Sequence, residues 1–321
     1  MAVKWWIWLL IGLLIGAGIV AAIWSTSTME VKGVEYVALI ELSGTISYTE
    51  SPLAIFSGET LTPSKVENLI KMVEADPSAK AVVLVINSPG GSAAASEEIY
   101  IMIERLAEDR VVVAYIAEYG ASGGYYISLP SDRVVASPHA VTGSVGAVSV
   151  VMNFEELMEK LGIGVDTFKS GRLKDIGSSW RSMTDEEKEI MQSIVDTVAK
   201  VFADRVRETR GDKIRDWEYV LTARPFLGTQ ALELGLVDEV GSLEDAINLA
   251  RRLAGLPEYA PARWIKPPTP SLLELLLGGV GEAEKPMKLS YEVLMMWPLP
   301  SMIDPNDVVK AGATICQAQM P

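Results

Sequence analysis

The stretch AVVLVINSPGGS, residues 81–92, decides the fold, because six apolar residues run directly into a glycine-rich turn. An uninterrupted apolar run of this length, bounded by turn residues, is typical of a buried β-strand. VVVAYIA, residues 111–117, is a second such run, and it breaks at Gly120. Helical periodicity occupies residues 94–106, between the two runs. Strands that alternate with helices in this way predict an α/β fold.

Weaker patterns extend this alternation towards the C-terminus. We expect a strand at 165–168, and the longest soluble helix at 184–207, where Thr184 and Glu187 predict a capping box. A last clear helix ends at Gly255, and beyond it the composition changes to proline-rich and apolar segments. One of these segments, MMWPLP at residues 295–300, is apolar and proline-bounded. We expect it to enter and block the groove of its own or a neighbouring subunit.

The first residues of the chain differ from the rest. Residues 5–24, WWIWLLIGLLIGAGIVAAIW, carry no charge, and as a helix at about 1.5 Å per residue they would span roughly 30 Å. Tryptophans lie at both ends, and Lys4 precedes the run, which keeps the N-terminus in the cytoplasm. We therefore predict an uncleaved, single-pass membrane anchor. A cleavable signal peptide is the alternative, although its apolar region is usually about 7–15 residues long.

Composition excludes several classes of partner and cofactor. The formal net charge of −14 and the pI near 4.7 argue against a nucleic-acid partner, because phosphate binding needs a basic surface. Cys316 is the only cysteine and His139 the only histidine, so an intramolecular disulfide and a multi-histidine metal site are impossible. We expect no cofactor and no metal.

Three glycine-rich turns each follow a predicted strand: NSPGGS at 87–92, YGASGGYY at 119–126 and KSGRLKDIGS at 169–178. Glycine permits a close approach of substrate backbone, so the first turn could aim an N–H at a developing oxyanion. Ser122, in the second turn, precedes a predicted helix, whose dipole favours nearby negative charge. An ordinary strand-to-helix turn and an N-cap serine are the plain alternatives.

The third turn supplies two lysines, Lys169 and Lys174. A lysine acts as a base only when its ammonium form is disfavoured, and lowering a lysine pKa from about 10.4 to near 7 costs roughly 4–5 kcal/mol. The neighbouring charges of Arg172 and Asp175 would shift this balance in opposite directions. A solvated surface role is the alternative for either lysine.

The motifs SPGG, GASGGYY, TGSVG and SGRLKD occur in an order and spacing that resembles the signal peptide peptidase A family of serine/lysine peptidases. The resemblance covers residues 34–255. It implies an α/β fold of the ClpP/crotonase-like type, in which repeated β-β-α units form a superhelix. With the predicted anchor, this divides the chain into a cytoplasmic tip and transmembrane helix at 1–30, a serine peptidase domain at 31–255 and a C-terminal tail at 256–321.

The resemblance also implies the roles of individual residues. Ser122 would be the nucleophile, Lys174 its general base, and Ser144 of TGSVG the hydroxyl that orients the lysine amine. Lys169 is interpreted as structural. Three glycines are implied as oxyanion donors through their N–H groups: Gly91, Gly123 and, as a close second to Gly91, Gly90. A histidine-based triad would have to use His139, which we interpret as structural because ClpP-type peptidases place their histidine differently.

The same resemblance implies the substrates and the assembly. The expected substrates are hydrophobic peptides, especially signal-peptide remnants, cleaved on the extracytoplasmic side of the cell membrane. Because the chain has one copy of the domain, we expect a homo-oligomer in which Ser122 of one subunit meets Lys174 of a neighbour. Alternatives are a membrane protease that cleaves one partner protein, a catalytically silent membrane scaffold and a crotonase-like acyl-CoA enzyme.

Overall fold

The computed structural model describes residues 33–49, 60–266 and 294–296. The predicted anchor at 5–24 and most of the predicted tail at 256–321 lie outside these residues. Within the described ranges, no helix is long and apolar enough to cross a bilayer.

The main sheet is parallel except at one short strand. Its principal path, in spatial order, runs β10 (Glu239–Val240), β7 (Arg133–Ala136), β6 (Val111–Ala121), β4 (Ala79–Ser88), β1 (Tyr36–Ser43) and β11 (Ala262–Trp264). Beside the end of β6 lies β8 (Val141–Gly143), which in turn pairs antiparallel with β9 (Pro225–Leu227). The two apolar runs at 81–86 and 111–117 are the centres of β4 and β6, so the predicted α/β fold is confirmed.

A smaller sheet lies at the carboxyl ends of the long strands. Its strands, in spatial order, are β12 (Leu294–Met296), β5 (Gly90–Ser92), β2 (Thr45–Ile46) and β3 (Thr60–Leu61). Because β2 follows β1 and β5 follows β4 along the chain, these two long strands each continue into the second sheet.

The helices cover both faces of the main sheet and connect its strands. They are α1 (Pro63–Glu74), α2 (Ala93–Asp109), α3 (Gly123–Tyr126), α4 (Glu155–Lys160), α5 (Asp185–Arg210), α6 (Trp217–Val220), α7 (Gly228–Leu234) and α8 (Leu243–Leu253). The predicted capping box at the start of α5 is confirmed, since the Thr184 hydroxyl accepts from the Glu187 N–H and the Glu187 carboxylate accepts from the Thr184 N–H.

Two hydrophobic cores lie on opposite faces of the main sheet. Alternate residues of β4 illustrate the division: Val82 and Leu84 pack into the larger core with α1, α2 and α5, whereas Val83 and Val85 pack against α8. Successive side chains of a strand point to opposite faces, so a strand covered on both faces must be apolar throughout. This explains why AVVLVI shows no alternation.

The structure differs from the sequence-based expectation at two places. Residues 165–168, predicted as a strand, form none, and the Phe168 side chain is 95% exposed. Conversely, a strand occurs where none was predicted: β11 lies in the segment predicted as tail, and it pairs parallel with β1. Apolar residues alone cannot make a strand where no neighbouring strand is present to pair with it.

A buried ion pair fixes the end of α5 to the sheet. Arg210 donates to both carboxylate oxygens of Asp238 at 3.1 and 3.2 Å and to the Gly235 carbonyl oxygen at 2.8 Å. Asp238 also accepts from the Val134 N–H of β7 at 2.8 Å. Burial raises the pKa of Asp238, but the hydrogen bonds and charge of Arg210 outweigh that effect and lower it to about 2.

Replacing Arg210 by Met should lower the free energy of unfolding by about 2 kcal/mol, because Asp238 would lose its buried partner and keep only the half-exposed Lys213 amine, at 2.6 Å. Urea denaturation measures this. Lys200→Met is the matched control on the same helix: Lys200 pairs with Asp204 on the exposed surface, so its loss should cost less than about 1 kcal/mol. Equal effects of the two substitutions would contradict a stabilising role for the buried pair.

Candidate active site

The turns that follow the parallel strands meet at one edge of the main sheet. Gly90 comes just after β4, Ser122 just after β6 and Ser144 just after β8. The carboxyl edge of an open parallel sheet is where α/β proteins bind their ligands. Three of the four motifs therefore lie at this edge of the sheet.

Ser122 occupies a strained strand-to-helix turn. Its φ is 54° and its ψ −118°, a conformation that costs a non-glycine residue of order 1–3 kcal/mol. The residue is only 2% exposed, and its N–H donates to the Gly143 carbonyl oxygen at 2.8 Å. Although Ser122 stands at the N-cap position of α3, its side chain makes no capping hydrogen bond. The N-cap alternative is therefore not supported, and the hydroxyl remains available for chemistry.

Ser144 lies beside Ser122. Ala121 of β6 and Gly143 of β8 are register partners, so the two serines that follow them leave neighbouring points of the sheet. Ser144 also has a positive φ, 55°, and is buried. Its hydroxyl donates to the Ala223 carbonyl oxygen at 3.2 Å. The structure thus brings the predicted nucleophile and the predicted lysine-orienting serine together within one chain.

The predicted oxyanion glycines lie on the segments that follow β4 and β6. The Gly123 N–H belongs to the first turn of α3 and so has no acceptor within the helix. The Gly90 N–H donates to the Ser88 hydroxyl at 3.2 Å, which favours Gly91 over Gly90 as the second oxyanion donor. A Cβ at Gly91 would lie 2.0 Å from the Ile46 carbonyl oxygen, so β5 can approach β2 only as glycine.

Within the described ranges, no contact brings Lys174 to this site. It is exposed in the turn that follows Gly171, and its own N–H donates to the Gly171 carbonyl oxygen at 3.1 Å. Among the residues that the structure describes, the Lys174 amine has no hydrogen-bond or ion-pair partner. Lys169 differs, because its amine binds Asp175 at 2.6 Å and the Arg172 carbonyl oxygen at 3.1 Å.

His139 lies exposed in the turn between β7 and β8. Within the described ranges it forms no hydrogen bond to Ser122, and no group of three or more metal-ligating side chains occurs. These residues give the site neither a histidine base hydrogen-bonded to the serine nor a metal cluster.

Two polar side chains hold the end of β6, and neither was predicted from the sequence as part of the site. The Asn87 carboxamide oxygen accepts from the Tyr119 N–H at 3.1 Å, and the buried Thr142 hydroxyl donates to the Gly120 carbonyl oxygen at 2.7 Å. The available signal was their position, since each is a hydrogen-bonding residue where a strand runs into a glycine turn. Both fix the backbone that leads into Ser122.

An α/β fold with a serine on a sharp strand-to-helix turn, beside glycine N–H groups, is typical of enzymes that use serine as a nucleophile in acyl transfer. Comparison with known proteins agrees. Residues 104–257 match the model of Peptidase family S49. The chain belongs to this family and is a serine peptidase of the signal peptide peptidase A family, as its motifs indicated.

Individual relatives support this assignment. A candidate protease of Synechocystis sp. is 37% identical over 244 residues, which cover 76% of this chain and 83% of that protein. One of Methanocaldococcus jannaschii is 42% identical over 189 residues, 59% of this chain and 61% of that protein. The chloroplastic serine protease SPPA of Arabidopsis thaliana is 30% identical over 253 residues, 78% of this chain but 37% of that protein.

Among solved structures, a mutant of the 1510-N membrane-bound stomatin-specific protease, in complex with a substrate peptide, has 15% sequence identity and a TM-score of 0.45. The similarity covers 76% of this chain and 97% of that one.

Replacing Gly91 by Ala should lower the reactivity of Ser122 towards a serine-directed fluorophosphonate by about a hundredfold, because the added Cβ displaces an oxyanion donor. The rate of labelling measures this. Gly255→Ala is the control, since its φ is also positive and nothing lies within 4 Å of a Cβ at that position. An unchanged rate in Gly91→Ala would remove Gly91 from the oxyanion site.

Proposed function

We propose that this protein is a membrane-anchored serine endopeptidase in which Ser122 is the nucleophile and Lys174 the general base. Its substrates are hydrophobic peptides, notably signal-peptide remnants, and its domain is of the ClpP/crotonase-like type. The observation that carries the proposal is the Ser122 turn: a strained, buried serine whose hydroxyl serves no capping role, at the start of a helix with a free N–H.

The chemistry needs no group beyond side chains, backbone and water. The neutral Lys174 amine takes the proton of Ser122 as its oxygen attacks the peptide carbonyl carbon. The N–H groups of Gly91 and Gly123 stabilise the resulting oxyanion. The lysine then gives its proton to the leaving nitrogen as the C–N bond breaks. Water, deprotonated by the same amine, hydrolyses the acyl-enzyme and restores the serine.

The dyad is formed between subunits. Two observations on the single chain support this: the Lys174 amine is exposed, and the segment before it exposes a series of large apolar side chains. They are Val150, Phe154, Leu157, Leu161, Ile163, Val165 and Phe168. Large apolar side chains that are exposed together on one segment are typical of a protein interface. A second copy of the chain, docked there, would bury the apolar series and bring Lys174 to a serine that lacks a base.

Backbone pairing at β5 supports a peptide as the substrate. Leu294–Met296 pair antiparallel with Gly90–Ser92, and Met295 is the register partner of Gly91. An extended segment therefore fits beside the proposed oxyanion glycine, the geometry by which sheet edges bind peptides. This segment of the tail would then compete with substrate, as the apolar MMWPLP sequence suggested.

The proposed anchor at 5–24 explains why the substrates would be apolar peptides. A single-pass helix with the N-terminus in the cytoplasm holds the peptidase domain on the extracytoplasmic face of the cell membrane, where apolar peptides leave the bilayer. A protease that cleaves one partner protein is the alternative within the same chemistry. A silent scaffold is disfavoured because Ser122 and Lys174 are both present.

Lys174→Ala and Ser122→Ala should each lower peptide hydrolysis by at least about a hundredfold, because each removes one partner of the proton transfer. Mixing the two inactive variants and allowing subunits to exchange should restore activity. In a randomly mixed ring, about a quarter of the sites would pair an intact serine with an intact lysine from the neighbour.

His139→Ala is the control and should retain wild-type hydrolysis. If the mixture stays inactive although mixed assemblies are demonstrated by mass spectrometry, the dyad lies within one subunit. If Lys174→Ala is active and His139→Ala is not, the lysine mechanism is wrong.

Truncation after Lys266 should lower the apparent KM for an added peptide and leave kcat unchanged, because a tethered competitor is removed. Steady-state hydrolysis of a fluorogenic peptide measures both constants. Met295→Pro should act in the same direction, since proline lacks the N–H for strand pairing. An unchanged KM in both variants would show that the tail does not compete for the site.

A further inference from the structure

A shielded guanidinium bridges two carboxylates beside Lys174. Arg181 donates to both oxygens of Asp175, from Nε at 2.9 Å and from Nη2 at 2.8 Å. It also donates to both oxygens of Glu187, at 2.8 and 2.6 Å. The carboxylate side chains are only 8% and 2% exposed. Two parallel hydrogen bonds between a guanidinium and a carboxylate fix the relative orientation of the two groups as well as pairing their charges.

The bridge joins the turn that carries Lys174 to the start of a long helix. Asp175 follows Lys174 directly, and Glu187 is the capping-box residue of α5. Lys169 closes the same turn from its other end, because its amine binds Asp175 and the Arg172 carbonyl oxygen. The residues on both sides of Lys174 are therefore tied to one another, and Asp175 is tied to α5, while the Lys174 amine has no partner of its own within the described residues.

The bridge also directs the negative charge of Asp175 towards Arg181 and Lys169, away from the Lys174 amine. A free carboxylate next to a lysine stabilises its ammonium form, which is the wrong form for a base. Here hydrogen bonds from Arg181, and then from Lys169, hold the pKa of Asp175 well below its usual range. Arg181 likewise lowers the pKa of Glu187 to about 2.

The remaining charges on these two elements are also paired. Arg172 binds Glu186 of α5, and Asp185 binds Lys188. Of the ionised groups on the turn from Lys169 to Asp175 and on the first turn of α5, Lys174 is thus the one without a partner in the described structure. We propose that Arg181 is a positioning residue for Lys174, which holds its turn against α5 and directs the Asp175 charge away from the amine. This inference rests on the proposed role of Lys174 as the base.

The test compares Arg181→Gln with Arg172→Gln in the full-length protein. Arg172 is the matched control, because it also pairs a glutamate of α5 from the same turn, but on the exposed surface and without contact to Asp175. The rate of Ser122 labelling by a fluorophosphonate is measured as a function of pH, and size-exclusion chromatography checks assembly.

Arg181→Gln should lower the labelling rate at neutral pH by between about tenfold and a hundredfold, the range expected when a reacting group is misplaced. The pH midpoint of labelling should rise, because the released carboxylates favour the ammonium form. Arg172→Gln should change the rate by less than about twofold, the effect expected for an exposed pair.

Asp175→Asn provides a second variant that does not depend on the first one folding. It removes the negative charge and leaves Arg181 and Lys169 in place, so the pH midpoint should fall. Opposite shifts in the two variants support the inference. Equal behaviour of Arg181→Gln and Arg172→Gln, or lower rates in Arg181→Gln and Asp175→Asn with no change of midpoint, would overturn it.

Lys174→Ala, measured in the same assay, separates this inference from the proposed function. If Lys174→Ala keeps the wild-type labelling rate, the lysine is not the base and the proposed function fails. If Lys174→Ala is inactive while Arg181→Gln matches wild type in rate and midpoint, the dyad stands and only the positioning role is wrong.

Discussion

The site depends on the hydrogen bond from the Ser122 N–H to the Gly143 carbonyl oxygen, 2.8 Å long. It continues the parallel pairing of β6 and β8 by one residue beyond Ala121. A serine released from this ladder could relax to an ordinary helix N-cap and use its hydroxyl to cap the helix. The ladder holds it at φ 54° instead, so the strain is balanced by sheet pairing and the hydroxyl is left free.

A steric constraint fixes the oxyanion donors around that serine. The Gly91 Cα approaches the Ile46 carbonyl so closely that a side chain has no room, and Gly124 approaches the Ser88 carbonyl oxygen in the same way. The first contact holds β5 against β2 within the small sheet, and the second holds the start of α3 against the end of β4. Donors held by packing need no reorganisation when negative charge develops, which is where electrostatic catalysis gains most.

The sequence predicted those parts of the fold whose signal is local. The runs in β4 and β6 are apolar throughout because both faces of the sheet are covered. The capping box of α5 is formed by two residues three positions apart, Thr184 and Glu187. The position of Ser122 after β6 followed from the same reasoning.

The parts that sequence reasoning missed depend on distant partners. Strands as short as β2 and β5 have no periodicity to detect, and they exist because the long strands bend at glycine and pair again. The strand expected at 165–168 is absent because its apolar side chains have no neighbour within the described chain. The Arg181 bridge spans two elements, and only the folded structure brings its two carboxylates together.

The proposed separation of nucleophile and base between subunits follows from the free energy needed to keep a lysine neutral. A lysine stays neutral near pH 7 only if its ammonium form is destabilised by roughly 4–5 kcal/mol. Burial or neighbouring positive charge provides this destabilisation. In the single chain the Lys174 side chain is exposed, so its burial has to come from a neighbouring subunit. Docking of a second subunit over the apolar segment would remove water from the lysine at the same moment as it meets the serine. In the proposed mechanism, assembly is therefore itself the step that creates the base, and a subunit outside the assembly carries a prepared nucleophile that cannot be activated.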